Sequence, residues 1–283
     1  MRRSQIYRKP HRFKRKKPIF RNRFFWLGIL TAAIVGAIFY LLFFSEFFQV
    51  KKINISGLEK IQKESIQPMV EQRLENGLLF FRTKSIFLVN PAAIQKQLFY
   101  NFPQIAELKV NRQFPETVNI FAKERKEGAL WCQQEKCYSL DKEGIIFKEN
   151  QQAENIIPES QRRVEKSEAL RFSINDEKNT KTFSLGEKVI EKNELDNIFK
   201  IQTNLKNQKI EANNFTLLSD RLTVKTAEGW EIYFNLSGDI DWQLTKLGAV
   251  LEEKIPFEKR KDLEYIELRF GNLAPFKYRN NLQ

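Results

Sequence analysis

An uninterrupted apolar run at residues 24–44 limits what this chain can fold into more than any other feature. The run reads FFWLGILTAAIVGAIFYLLFF and holds 21 residues without a charge. As a helix rising about 1.5 Å per residue it would be about 31 Å long, which matches a hydrocarbon core of about 30 Å. Trp26 and Tyr40 lie near its ends, where amphipathic rings favour the membrane interface. The run therefore predicts a transmembrane helix.

A cleaved signal peptide is the alternative interpretation of this run. Such a peptide has an apolar region of about 7–15 residues followed by a cleavage site of small residues. Here the run is longer and continues into Phe43-Phe44-Ser45-Glu46-Phe47-Phe48, which offers no such site. We therefore expect a retained anchor.

The positive charge of the chain is concentrated before this anchor. Of the 48 Lys and Arg residues, eleven lie in residues 1–23, which contain no Asp or Glu. The rest of the chain therefore carries 37 basic and 35 acidic residues, so the net charge of +13 belongs to a tail. This distribution argues against a nucleic-acid partner. It predicts a cytoplasmic N-terminus and an extracytoplasmic C-terminus, because basic flanks stay inside. Attraction of the tail to anionic lipid, about 1 kcal/mol per cation, is a further reading.

Residues 45–125 predict a first domain with the order β-α-α-β-β. Five residues, Ser45 to Gln49, separate the anchor from the first strand and span at most about 17 Å, so this domain should lie against the bilayer. The predicted elements are a strand over residues 51–56 closed by Gly57, a helix capped by Ser65 with Pro68 in its first turn, a helix opened by Asn90-Pro91, and two alternating strands around Phe114-Pro115-Glu116. We expect a three-stranded sheet covered by two helices.

Residues 126–271 predict a β-rich second domain with two helices, which makes the fold class α+β. The predicted elements are short strands over 130–147, a loop or weak strand over 151–179, a helix over 193–207, a hairpin across Glu228-Gly229, a helix capped by Asp239 or Asp241, and a last strand over 264–270. Residues 272–283 are basic and polar and are expected to form a C-terminal tail.

The two cysteines, Cys132 and Cys137, flank a four-residue turn. They could form a disulfide at the end of a hairpin or remain as two free thiols. Closing so short a loop stabilises by only about 2 kcal/mol, so we expect the pair to be dispensable for folding. A zinc site would need two more ligands, and the single histidine, His11, lies on the other side of the membrane. No metal and no cofactor are therefore expected.

No catalytic constellation is visible in the exported part. Ser139-Leu-Asp-Lys142 matches the S-x-x-K of penicillin-binding transpeptidases, but it leads into a glycine turn and no K-T-G occurs in the chain. With its one histidine in the cytoplasmic tail, the chain cannot use histidine catalysis outside the cell. We expect a protein that is not an enzyme and has no small-molecule substrate.

The chain resembles the FtsQ/DivIB family of bacterial cell-division proteins over nearly its whole length. The resemblance is carried by residues 50–57 (VKKINISG), 110–120 (VNRQFPETVNI), 123–125 (KER), 139–144 (SLDKEG) and 265–270 (YIELRF). In that family a single-pass type II anchor precedes a POTRA domain and a β domain. The resemblance thus implies a POTRA domain at 45–125 and a β domain at 126–271. The apolar stretch 77–89 and the polar segment 151–179 depart from the family pattern.

The resemblance also implies a function and a site. It implies a non-enzymatic scaffold of the division machinery, located in the plasma (inner) membrane at the septum. Its partners would be FtsB, coiled with FtsL, and through them a synthase complex like FtsW and FtsI. A strand near the C-terminus often lies at a sheet edge and can accept a partner strand. The implied contact residues are Tyr265, Glu267, Arg269, Phe270 and Gly271. The alternative is a POTRA-containing envelope or export factor that handles other polypeptides by strand addition.

Overall fold

The first helix, α1, covers Arg23–Phe44 and coincides with the predicted anchor. The computed structural model describes residues 23–78, 81–150 and 172–279. Among these, α1 is the one helix long and apolar enough to cross a membrane, judged by length and composition. The basic tail predicted over residues 1–23 lies almost entirely outside the described residues.

The region after α1 has the predicted β-α-α-β-β order with one additional hairpin. Its elements are a 3-10 turn at Glu46–Phe48, β1 Lys52–Ser56, α2 Lys63–Leu74, β2 Asn76–Leu78, β3 Phe81–Thr83, α3 Pro91–Asn101, β4 Ile105–Gln113 and β5 Thr117–Glu124. Strands β1, β5 and β4 form the predicted three-stranded sheet, and β5 is its central strand. The short hairpin β2–β3 lies in the apolar stretch that departs from the family pattern.

The two helices of this region agree unequally with their predicted starts. Helix α3 begins at Pro91, as expected, and buries Ile94 and Leu98. Helix α2 begins at Lys63, so the prediction that Ser65 caps it is wrong, and Pro68 is its sixth residue. The chain begins to turn at Gln62, the residue before α2, where the carbonyl accepts from the Ser65 amide over 3.1 Å. Ser65 therefore lies inside the first turn of the helix and not at its cap.

The second region is built on one mixed sheet. Its elements are β6 Ala129–Gln133, β7 Lys136–Leu140, β8 Ile146–Asn150, β9 Ser173–Asp176, α4 Lys192–Asn207, β10 Ala212–Leu217, β11 Leu222–Thr226, β12 Glu231–Phe234, α5 Ile240–Glu253, a 3-10 turn at Phe257–Asp262, β13 Leu263–Glu267 and β14 Phe276–Tyr278. The strand order is β14-β13-β12-β11-β10-β9-β6-β7-β8, nine strands in all among the described residues. Most neighbours are antiparallel, but β9 is parallel to both of its neighbours and β12 is parallel to β13.

One apolar core serves this sheet and both of its helices. Trp131, Trp230 and Phe215 are fully buried in it. Helix α4 contributes Leu195, Ile198, Ile201 and Leu205 at helical spacing, as an amphipathic helix should. Helix α5 is capped by Asp239, whose side chain accepts from the Trp242 amide, which decides between the two predicted caps.

The polar segment 151–179 is described only from residue 172 onward. The prediction for residues 151–171 therefore lies outside the described residues. The sequence left residues 151–179 open between a loop and a weak strand, and within the described part β9 is a strand. It lies inside the sheet, between β6 and β10. Ile174 is its fully buried apolar residue, so the sequence signal for this strand is weak.

Cys132 and Cys137 lie directly opposite each other in the β6–β7 hairpin and form a disulfide with an S–S distance of 2.00 Å. The open alternative of two free thiols does not apply to this structure.

Two of the glycines in the resembling stretches have a steric reason to be glycine. Gly57 and Gly144 have φ angles of +85° and +84°, a region that side chains rarely adopt. A Cβ at Gly57 would lie 2.2 Å from the carbonyl oxygen of Ala122, and one at Gly144 would lie 2.2 Å from that of Ile190. Each glycine therefore allows two chain segments to approach closely.

By internal contacts the chain divides into two compact units. One comprises Met1–Asn54, Gln67–Pro91 and Asn111–Asn119, and the other comprises Ile55–Ile66, Ala92–Val110 and Ile120–Gln283. The domain boundary predicted at residue 125 stays a prediction. The tail predicted over residues 272–283 is wrong for residues 276–278, because β14 pairs with β13 and extends the large sheet.

Candidate partner-binding edge

The strand predicted to be last in the sheet, residues 264–270, is an interior strand. β13 ends at Glu267 and lies between β12 and β14. Tyr265 is paired with Lys277 of β14 and with Glu231 of β12. The edge prediction for this strand is therefore wrong. The alternating pattern continues to Phe270, but the chain reverses there, since the Leu273 amide donates to the carbonyl of Phe270 over 3.2 Å.

The edge of the sheet is β14 instead. The carbonyl of Pro275 accepts from the Glu267 amide over 2.8 Å, and the Arg279 amide donates to Asp262 over 2.8 Å. Backbone groups alternate in direction along an antiparallel strand, so those of Phe276 and Tyr278 point away from β13. No described residue forms a strand beyond β14. These amide and carbonyl groups are the pairing groups that strand addition requires.

The opposite end of the sheet is less open. At the start of β8, the Ile146 amide donates to the carbonyl of Glu187 over 3.1 Å. The carbonyl of Ile146 accepts from the Gly186 amide over 2.7 Å. The two ends of the sheet therefore differ, and β14 is the better candidate for strand addition.

A buried ammonium group shapes the turn between β13 and β14. Lys246 of α5 is only 6% exposed. Its Nζ donates to the carbonyls of Leu268 (2.6 Å), Gly271 (3.0 Å) and Leu273 (3.1 Å), with a longer contact of 3.4 Å to that of Phe270. Burial lowers the pKa of Lys246 from its ordinary value, while the charge of Glu267 opposes this shift. The turn is therefore held by a side chain that lies more than twenty residues away in the sequence.

Two of the predicted contact residues, Phe270 and Gly271, lie on this turn. Phe270 is 57% exposed and Leu273 is 72% exposed. The indole nitrogen of Trp242 donates to the carbonyl of Gly271 over 3.3 Å, and this indole is itself exposed. Gly271 has a φ of +39° and open space where a Cβ would stand. The turn thus presents apolar side chains next to the outer edge of β14, with which no described strand pairs.

Two other predicted contact residues are occupied inside the protein. Glu267 is buried, and it accepts from the amide and the guanidinium of Arg269 at 2.9 and 2.8 Å. Arg269 also forms an ion pair of 2.7 Å with Asp220. This network joins the end of β13 to the β10–β11 connection. Glu267 and Arg269 therefore position the turn and have little capacity left for direct contact with a partner.

The fifth predicted residue, Tyr265, lies on the sheet in a stack of rings. Its ring lies on that of Tyr233, with centroids 5.3 Å apart and planes at 22°. The Arg221 guanidinium lies 4.4 Å from the Tyr233 centroid. Burial, together with the hydrogen bond to Glu231, raises the pKa of Tyr233 to about 12, so this hydroxyl stays protonated. Tyr265 is half-buried and adjacent to Lys277 of the edge strand.

The sequence prediction missed the residues that form the edge itself. β14 is three residues long, with half-buried Phe276 and Tyr278 on either side of exposed Lys277. The alternation of aromatic and charged residues in Phe-Lys-Tyr was the available signal for a strand. Nothing in the sequence indicated that Lys246 or Trp242 contacts this turn. A lysine on a surface helix is usually exposed to solvent, so a buried Lys246 was not expected.

The described residues contain no group of three or more His, Cys, Asp or Glu side chains placed to hold a metal ion. The chemistry of this edge is that of main-chain pairing and apolar contact.

Comparison with known proteins agrees with this architecture. Residues 48–125 match the POTRA domain, FtsQ-type. The cell division protein FtsQ of Streptomyces bingchenggensis (strain BCW-1) is 24% identical over 144 residues, which are 51% of this chain and 51% of that protein. The chain thus spans about half the length of the curated relative that it matches.

An N-terminal apolar helix followed by a POTRA domain and a strand-rich region defines a membrane-anchored POTRA protein. Within that class, the FtsQ-type match of residues 48–125 and the similarity to a cell division protein FtsQ over about half of the chain support a protein like those of the FtsQ/DivIB family.

Proposed function

We propose that this protein is a non-enzymatic scaffold of the bacterial division machinery that binds a partner strand along β14. The partner would be an FtsB-like protein, coiled with an FtsL-like protein, and the assembly would control an FtsW/FtsI-like septal synthase. The observation that supports this proposal is the row of outward backbone groups at Phe276 and Tyr278. These groups can pair with an added strand, and main-chain hydrogen bonds would supply the affinity.

The turn between β13 and β14 would supply the side-chain contacts. Phe270 and Leu273 are exposed apolar groups beside the edge, and Trp242 lies against the same turn. A few well-packed side chains near the centre of an interface, tryptophan prominent among them, carry much of its binding energy. Lys277 is exposed, and its 2.7 Å pair with Glu264 lies at the surface, where a charged group on the rim of a partner can compete for it.

The anchor and the tail support a location at the plasma (inner) membrane, at the septum. α1 has the length of a single span, and residues 1–23 carry eleven basic residues and no acidic ones. By the positive-inside rule the tail would be cytoplasmic and the sheet-rich region extracytoplasmic. Both regions could then meet other membrane-anchored division proteins at short range.

A binding measurement on the full chain in lipid nanodiscs tests the proposal. The partner is a soluble FtsB–FtsL pair, and the test chain ends at Ala274 and so lacks β14. The matched control ends at Arg279 and lacks only residues 280–283. We expect the first truncation to abolish binding and the control to bind normally. Equal binding of the two truncated chains would refute the edge proposal.

A side-chain variant guards against misfolding of the truncated chain, because Phe276 and Tyr278 pack against the core. Leu273→Glu changes a side chain that is highly exposed, and Leu185→Glu is its control at another exposed leucine. We expect at least about tenfold weaker binding for Leu273→Glu, which corresponds to about 1.4 kcal/mol. Unchanged binding with this variant would exclude the turn from the interface.

Depletion followed by microscopy separates the division role from that of an envelope or export factor. Filaments or unseparated cells would support the scaffold, whereas normal division with envelope defects would favour the alternative.

A further inference from the structure

The end of the anchor is joined to the following region by side-chain hydrogen bonds. The last carbonyls of a helix have no partner within the helix. Here the carbonyl of Leu42 accepts from the Ser85 hydroxyl over 2.9 Å. The carbonyl of Phe43 accepts from the Thr83 hydroxyl and from the side-chain amide of Gln49, the latter over 3.1 Å. The segment 83–85 therefore lies directly against the end of α1.

Backbone pairing fixes this junction further. The Val50 amide donates to the carbonyl of Lys84 over 3.0 Å, and the Ile86 amide donates to that of Phe48 over 2.9 Å. The carbonyl oxygen of the Gln49 side chain accepts from the Lys84 amide over 2.7 Å. The chain on both sides of the junction is thus held in one arrangement relative to the last turn of α1.

Five phenylalanines extend from the last turn of α1 along this junction. We call them the juxtamembrane aromatic cluster: Phe43, Phe47, Phe48, Phe87 and Phe114. The ring of Phe87 is the centre, with centroid distances of 6.5 Å to Phe43, 5.2 Å to Phe48 and 5.3 Å to Phe114. Phe47 packs edge-on against Phe48 at 5.0 Å. The cluster begins inside the anchor and ends on the turn between β4 and β5.

The outer members of this cluster are exposed. Phe47 is 62% exposed and Phe114 is 55% exposed. Arg112 is also exposed, and its guanidinium donates to the carbonyl of Phe87 over 3.4 Å. A patch of aromatic rings bordered by a cation matches the membrane interface, where rings enter the acyl boundary and cations reach the phosphates.

We propose that the juxtamembrane aromatic cluster is a lipid-binding surface that inserts into the outer interface of the membrane that α1 spans. The occupant is the bilayer itself, because the cluster is continuous with Phe43 of the anchor and Phe47 follows the end of α1 by three residues. A lone helical anchor leaves the attached region free to rotate. Phe114, some seventy residues further along the chain, gives this region a second attachment to the bilayer and fixes its orientation.

Depth-dependent quenching on the full chain in nanodiscs tests this proposal. A nitrobenzoxadiazole label is placed on Gln113→Cys, next to Phe114, while the native cysteines remain in their disulfide. The nanodiscs contain phosphatidylethanolamine, phosphatidylglycerol and a lipid with a nitroxide near the head of its acyl chain. We expect strong quenching at this position and none for the same label on Tyr100→Cys, an exposed residue outside the cluster.

Two matched glutamate variants identify the side chain responsible. Phe114→Glu introduces a charge into the cluster, and Phe121→Glu introduces one at a similarly exposed phenylalanine on β5, outside the cluster. We expect the quenching of the residue 113 label to fall several-fold with Phe114→Glu and to persist with Phe121→Glu. Absent quenching in the parent chain, equal quenching of the residue 100 label, or equal effects of the two variants would each overturn the proposal. Because no division partner is present, the result is independent of the proposed function.

Discussion

The last turn of α1 and the turn between β13 and β14 present the same structural problem and solve it with different groups. At each place backbone carbonyls leave regular pairing and are bound by side chains from outside their own element, most of them distant in the sequence. At the end of α1 the donors are the neutral groups of Thr83, Ser85 and Gln49. At the β13–β14 turn the main donor is the ammonium group of Lys246, and the Trp242 indole adds one bond to Gly271.

The two kinds of donor differ in how firmly they hold the carbonyls. A charged donor forms hydrogen bonds about twice as strong as neutral ones, so its removal destabilises the fold strongly. A buried charge that loses its partners is also costly, so displacing the ammonium group destabilises the fold as well. Three neutral donors share the task at the anchor, and losing one of them leaves the others in place. We infer that the carbonyls of the β13–β14 turn depend mainly on one donor residue, Lys246, whereas those at the end of α1 depend on several.

Replacing Lys246 by Met should give the largest effect. The variant keeps most of the buried stem but removes the charged donor from the carbonyls of Leu268, Gly271 and Leu273. Of these three, the Gly271 carbonyl keeps another donor, the Trp242 indole at 3.3 Å. Because a hydrogen bond to a charged group contributes about 1.5–3 kcal/mol and several are lost, we expect a loss of about 3 kcal/mol in the free energy of unfolding. Urea unfolding of the full chain in detergent measures it.

Lys200→Met is the matched control for this variant. Lys200 is an exposed lysine of α4 that pairs with Asp241 at the surface, where ion pairs contribute little. A similar loss of stability in both variants would mean that the bonds from Lys246 to the turn stabilise the fold no more than a surface ion pair does. The comparison between the two carbonyl-binding places would then fail.

The double substitution Thr83→Val and Ser85→Ala should have a smaller and more local effect. It removes two hydroxyl donors from the end of α1 while Gln49 remains. We expect the Val50 and Ile86 amides to exchange with solvent about tenfold faster in nanodiscs, because about 1–2 kcal/mol of local stability is lost. Hydrogen–deuterium exchange measures this, with the rest of the chain as internal reference.

Thr31→Val provides the control for the anchor. The Thr31 hydroxyl also donates to a helix carbonyl, that of Gly28, but within α1 itself. Its removal should leave the exchange of Val50 and Ile86 unchanged. If the double variant changed nothing either, the hydroxyl groups would not be what joins the anchor to the following region.

The same contrast explains what could be predicted from the sequence. Features set by neighbouring residues were predictable, such as the apolar length of α1, the Pro91 start of α3 and an aspartate cap of α5 at one of two positions. The end of β13 was not, since Leu268 and Phe270 continue the alternating pattern and the chain reverses because of Gly271 and the distant Lys246. A donor that acts across 22 residues has no local pattern, so the site prediction fell one strand away from the edge.

Two of the stretches that resemble the FtsQ/DivIB family, residues 123–125 and 139–144, are explained by contacts that only the folded structure shows. The Glu124 carboxylate accepts from three successive amides, those of Glu59, Lys60 and Ile61, at 2.8–2.9 Å. Arg125 donates to the carbonyl of Pro103 and pairs with Asp141, whose other oxygen accepts from the amides of the 143–145 turn. These contacts give physical reasons for the adjacent Glu-Arg and for the Asp before the glycine turn, which the sequence alone could only match to a family.

Glu124 reverses the roles seen at Lys246, because here a side-chain anion accepts from backbone amides. It offers the test with the smallest expected change in stability. Burial raises the pKa of Glu124, but the three amides outweigh it and hold the pKa below its ordinary value. The folded pKa is therefore below the unfolded one. The contribution to stability is complete above the unfolded pKa and is lost as the pH falls through the folded pKa.

Glu124→Gln should accordingly cost about 1 kcal/mol near neutral pH and almost nothing in acid, where the parent carboxylate is protonated. Urea midpoints measured from about pH 7 to about pH 3 report this difference. Glu107→Gln is the control, since the pKa of Glu107 is also lowered, by its hydrogen bond to Lys123, but this pair is at the surface. Raising the salt concentration should remove the effect of Glu107→Gln and leave that of Glu124→Gln, because screening weakens exposed pairs far more than backbone hydrogen bonds. If salt removed both effects, the binding of backbone groups by charged side chains would be no firmer here than a surface ion pair, and the inferred rank of Lys246 over the neutral donors would lose its basis.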